Sequence, residues 1–79
     1  MPRFFFDTHD GEWDRDDVGI ECANVDVACQ EAKRALPDMA FDRTPRDGDQ
    51  HTITVLVSDE NRQPVYTASL TFSGLLMHP

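Results

Sequence analysis

Two stretches near the C-terminus alternate apolar and polar residues with a period of two, and only a paired hairpin uses both of them well. His51–Ser58 sets Ile53, Val55 and Val57 against Thr52, Thr54 and Leu56; Val65–Ser73 sets Tyr66, Ala68, Leu70 and Phe72 against Val65, Thr67, Ser69 and Thr71. Successive side chains of a strand point to opposite faces, so each run has one face to bury. Placing both apolar sets on one face pairs odd positions with even ones, so the connecting loop holds an even number of residues. Asp59-Glu60-Asn61-Arg62 supplies that turn, with Asn61 the residue suited to a left-handed backbone.

A second hairpin is encoded at the other end. Asp10-Gly11 separates the strand-like Arg3–His9 from Glu12–Arg15, and Asp-Gly is suited to the positive φ values of a two-residue hairpin turn. On that reading His9 faces Glu12, Thr8 faces Trp13 and Asp7 faces Asp14. Phe4, Phe6, Thr8 and Trp13 then share the core side. The run Asp16-Asp17-Val18-Gly19 reads as a turn with Gly19 at positive φ.

Between the hairpins the period changes. Ala28, Cys29, Ala32, Ala35, Leu36 and Met39 recur at three- and four-residue spacing, the stripe of an amphipathic helix over about 27–41, with Asp26 as its N-cap. Gln30, Lys33, Arg34 and Pro37 fall on the opposite side. Pro37 on the solvent side predicts a bend rather than a stop, the alternative being a helix that ends at Leu36. Asp42–Gln50, with Pro45 and Gly48, reads as a loop. The chain is thus one α+β domain over 1–79, ordered β-β-α-β-β, with strands at about 3–9, 12–15, 51–58 and 65–73. Because the helix carries the chain back across the sheet, an antiparallel sheet requires the spatial order 2-1-3-4 with the helix on one face. The expected core is Phe4, Phe6, Trp13, Cys22, Ala28, Cys29, Ala32, Leu36, Met39, Ile53, Val55, Val57, Tyr66, Leu70 and Phe72.

Charge narrows the partners. The net charge is −8, and residues 1–26 hold eight acids against Arg3 and Arg15, leaving −2 for the rest. Such a field repels a phosphate backbone, so direct nucleic-acid binding is not expected. No stretch approaches the roughly 20 apolar residues of a membrane span. The opening Met1–Asp7 lacks an apolar signal-peptide core, which places the expected location in the cytoplasm. Cys22 and Cys29, seven residues apart, match no redox or zinc motif and read as reduced, buried hydrophobes.

The opening Met1-Pro2-Arg3-Phe4-Phe5-Phe6-Asp7, the His9-Asp10-Gly11 turn and Arg15-Asp16-Asp17 with Gly19 and Glu21 resemble an uncharacterised family of short proteins, a domain of unknown function from rhizobia and related alphaproteobacteria. Arg34-Ala35-Leu36-Pro37, Val57-Ser58-Asp59-Glu60 and Pro64-Val65 extend the resemblance over nearly the whole chain. The family more often carries Leu at the position of Cys22, which agrees with a core role there, and glycine near Asn61. The resemblance implies a bacterial cytosolic protein and carries no activity with it.

The candidate sites are few. An EF-hand begun at Asp14 would put Val18 and Val25 where ligands are needed, which rules it out. Asp7 opposite Asp14, with His9 on the same outer face, is the one candidate metal site. No nucleophile, base and orienting group fall together, and no glycine-rich oxyanion or phosphate loop exists, so neither enzyme activity nor a cofactor is expected. The uncovered sheet face, the edge strand and the tail are the better lead: Phe5, Leu56, Val65, Thr67, Leu75, Leu76 and Met77 are candidate interface residues. The expected function is a small non-catalytic interaction or regulatory module acting as a homodimer. Two alternatives are a cation- or ligand-responsive module built on the acidic hairpin, and an acidic decoy for a nucleic-acid-binding protein.

Overall fold

In the computed structural model, which describes residues 1–43 and 50–77, one helix lies on an antiparallel sheet. The elements are β1 (Arg3–His9), β2 (Trp13–Asp14), β3 (Ile20–Glu21), α1 (Val25–Arg43), β4 (Gln50–Ser58) and β5 (Pro64–Ser73). The main path of the sheet is β2-β1-β4-β5, and β3 adds a fifth strand pairing with β1. The expectation of four strands is corrected by this short stretch. Its two residues, Ile20 and Glu21, are too few to show a period, yet they pair with Phe4 and Arg3.

The β4–β5 hairpin follows the parity of its side chains. Val57 pairs with Tyr66, Val55 with Ala68 and Ile53 with Leu70, while an irregularity at Val57/Ser58 lets β5 begin at Pro64. Asp59 builds the turn: its carboxylate accepts from the amides of Asn61 (2.9 Å) and Gln63 (3.0 Å). The left-handed residue is Arg62 (φ 62°), one position beyond Asn61.

The β1–β2 register differs from expectation by one residue. His9 pairs with Trp13 and Thr8 with Asp14, so Asp10, Gly11 and Glu12 make a three-residue loop with Gly11 at φ 114°. A one-residue slip sends every side chain to the other face. Trp13 therefore leaves the core side, is 55% exposed, and tilts against His9 with ring centroids 5.0 Å apart. Asp14 moves to the helix side, and Asp7 and Asp14 do not face each other.

The helix begins at Val25, capped by Asn24 rather than Asp26: Asn24 Oδ1 accepts from the Val27 amide at 2.9 Å. It continues through Pro37 to Arg43, as the solvent-side position of that proline allows. Ala28, Ala32 and Leu36 pack on Phe4, Cys22, Ile53, Val55 and Val57, with Phe6, Met39, Tyr66 and Ala68 partly buried around them. Ala35 is exposed and Cys29 only half-buried, narrowing the predicted stripe. Leu70 and Phe72 share the helix side of β5 but remain exposed (38% and 45%), outside the core expected of them. Most of the expected 42–50 loop lies outside the described residues.

Candidate functional site

Two acids of the N-terminal half, Asp7 and Asp16, organise the sheet edge, while Glu12, Asp14, Asp17, Glu21 and Asp26 are exposed. β2 and β3 flank opposite ends of β1, and Arg15–Gly19 bulges out between them. Asp16 fills the gap this leaves in the ladder. Its carboxylate accepts from the amides of Phe6 (3.1 Å), Val18 (3.0 Å) and Gly19 (2.9 Å). Burial by itself would raise its pKa, but these three amides and the positive charge of Arg62 outweigh it and hold the carboxyl below the ordinary aspartate value. Gly19, at φ 79°, closes the turn where a side chain would meet Arg3 Cγ at 2.8 Å and the Phe4 carbonyl at 3.0 Å.

Asp7 is the buried acid of the outer face, only 7% exposed. It accepts from the Asp16 amide at 2.8 Å and stands 4.0 Å from Arg62 Nη1. Arg62 reaches back from the β4–β5 turn, lies 3.7 Å above the centre of the Phe5 ring and also approaches Asp17 at 4.0 Å. One guanidinium thus covers Phe5, balances Asp7 and ties the second hairpin to the first. At the other end of β1, Arg3 pairs with Glu21 at 3.6 Å and donates to the Val18 carbonyl at 2.8 Å.

These contacts rearrange the sequence-derived candidates. Asp7 and His9 lie on the outer face, Asp14 on the other, and among the described residues no group of three or more His, Cys, Asp or Glu side chains converges to hold a metal ion. Phe5 is half-buried under Arg62 and does not offer a free apolar patch. Much of the outer face is a hydroxyl ladder, with Thr52 against Thr71 (3.1 Å) and Thr54 against Ser69 (2.9 Å). Thr67 turns its hydroxyl to the Val55 carbonyl at 3.1 Å.

Two features remain open to a partner. One is the free side of β5 with the tail after it: Val65 is 37% exposed, and Leu75, Leu76 and Met77 are each about four-fifths exposed. The other is a groove of about 280 Å³ on the outer face, with Trp13, Arg15 and Arg62 around it, Leu56 and Ser58 from β4, and Asp7 from β1. Of the groove residues, only Asp7 and Leu56 stood among the candidate site residues of the sequence. Trp13 was hidden because a two-residue Asp10-Gly11 turn pairs it with Thr8 and places it on the core side. Ser58 and Arg62 come to the groove only through pairing of distant segments.

The architecture is a one-helix α+β domain whose exposed features include a strand edge, an apolar tail and a shallow groove with both polar and apolar walls. Residues 3–71 match the model of DUF6894, a domain of unknown function, and the chain belongs to that family. No curated protein and no solved structure matches it. Among the described residues no helix is long and apolar enough to cross a membrane.

Proposed function

We propose that this protein is a small, non-catalytic protein-interaction module of the bacterial cytoplasm that works as a homodimer joined along β5. The observation that carries the reading is the contrast between this strand and the rest of the chain. Pro64–Met77 contains no charged residue in a protein of net charge −8. Within it, β5 pairs with β4 on one side and with nothing among the described residues on the other. Edge strands are ordinarily protected by charge, proline, bulges or extreme shortness, and β5 has only Pro64, at its first position. The opposite side of the sheet shows that protection, with two-residue strands carrying Asp14 and Glu21. Two acidic copies repel each other everywhere except at a neutral surface, so self-association is directed to β5 and the tail. Antiparallel pairing about a two-fold axis places like face beside like face and closes the assembly.

Sedimentation equilibrium tests this. The full chain should show twice the monomer mass at micromolar concentration, and Ser69→Lys or truncation after Ser73 should return it to monomer with the fold retained by circular dichroism. A wild-type monomer across a hundredfold concentration range would overturn the dimer and reassign β5 to a different protein partner.

A further inference from the structure

The outer-face groove has an imbalance of donors and acceptors that specifies the charge of what fits it. Arg15 makes no ion pair or hydrogen bond among the described residues, which leaves its guanidinium donors free. Arg62 has carboxylates only at 4.0 Å, beyond hydrogen-bond length, so it is charge-balanced but its donors are not satisfied. Ser58 is 4% exposed, lines the groove, and its hydroxyl has no partner among the described residues. That hydroxyl is not sealed off, because no buried side-chain polar atom among the described residues lacks a hydrogen-bond partner, so it opens onto the groove. The acid present, Asp7, is by contrast already engaged by the Asp16 amide. The donors of two guanidinium groups outnumber the acceptors of the single Asp7 carboxylate, one oxygen of which takes the Asp16 amide, so the complementary group is an anionic acceptor.

The remaining walls define the body attached to that anion. Trp13, more than half exposed and held by its contact with His9, offers an aromatic face, and Leu56 an aliphatic one. About 280 Å³ lies just below the usual range for small-molecule pockets, which suits a single ring and excludes a nucleotide. Guanidinium groups match a planar carboxylate with paired hydrogen bonds. We propose that this groove binds a single-ring aromatic carboxylate, its ring against Trp13 and its carboxylate between Arg15, Arg62 and the Ser58 hydroxyl. None of the groups that would hold the ligand lies on β5, although Pro64, its first residue, completes the groove wall.

Trp13 is the only tryptophan in the chain, so its emission reports on this groove directly. Titrating the full-length protein with phenylacetate should give a saturable change, and benzylamine, with the same ring and the opposite charge, should give none. Arg15→Gln, at an exposed position, should leave the melting temperature unchanged and weaken phenylacetate binding at least about tenfold. The carboxylate has two possible sources, a free acid or the C-terminal residue of a peptide. Tighter binding of N-acetylphenylalanine than of phenylacetate assigns it to a peptide end, and the reverse assigns it to a free acid. Absence of saturation by either compound up to about 10 mM, an equal response to benzylamine, or unchanged binding in Arg15→Gln overturns the proposal.

Discussion

The backbone amide of Asp16 donates to the carboxylate of Asp7 at 2.8 Å, so one acid is held in place by the backbone of another. This relationship explains how a stretch this rich in aspartate stays folded against a strand. Asp7 is neutralised from one side by Arg62, while Asp16 turns its own charge onto three amides.

Asp16 should therefore make stability depend on pH. Its folded pKa lies below the ordinary value, so its contribution is full above the unfolded pKa and is lost as pH falls through the folded one. Urea unfolding from about pH 5 down to about pH 2 should show wild-type stability falling more steeply than that of Asp16→Asn. Asp16→Ala should cost about 2 kcal/mol near neutrality, by stranding the Phe6 and loop amides. Parallel pH profiles for wild type and Asp16→Asn would show that another group controls the acid limb.

The two left-handed glycines should differ in their tolerance of alanine. Gly11 has open space around the position of a side chain, so Gly11→Ala meets only the backbone penalty, about 1 kcal/mol. At Gly19 the added carbon also collides with Arg3 and with the Phe4 carbonyl, raising the cost to about 2 kcal/mol or more. Thermal melts of the two variants should rank in that order.

How much of this was legible in the sequence depends on the distance over which each signal acts. The β4–β5 register was readable because Ile53, Val55 and Val57 against Leu70, Ala68 and Tyr66 is a parity constraint that survives small errors in the turn. The β1–β2 register was not, since β2 has only Trp13 and Asp14, and Asp10-Gly11 serves a three-residue loop as well as a two-residue one. That single residue moved Trp13 out of the core, Asp14 away from Asp7, and the groove into existence. The Asp16–Gly19 turn was visible as a local motif, but the reach of Asp16 to Phe6 was not. Arg62 over Phe5 joins segments with no shared period, so only the folded sheet reveals it.

Register can be tested by truncating aromatic residues. Phe4 is 3% exposed and Trp13 55%; Phe4→Ala should cost about 3–5 kcal/mol, while Trp13→Ala should cost under about 1 kcal/mol. Equal losses in denaturant unfolding would instead place Trp13 in the core, as a two-residue turn requires.

The thiols should separate by reactivity. Both cysteines are free, Cys22 buried and Cys29 half-buried, and burial together with the negative charge of Glu31 pushes the Cys22 thiol up. Timed alkylation of the native protein followed by mass spectrometry should modify Cys29 first, with Cys22 following only as the chain opens. Denaturant should erase the difference, and early modification of Cys22 would contradict its place beneath the helix.

The two borders of the sheet give the molecule a valence of one. On the β1 side, two-residue stubs and the Asp16 bulge leave no continuous template for a further strand, whereas β5 offers ten residues. A chain with two such borders could propagate without limit, as stacked sheets do in fibrils. Among the described residues β5 is the one border long enough to take a strand, so a first strand to add, whether from an identical molecule or a different one, would occupy it. The proposed strand addition would therefore end at two components.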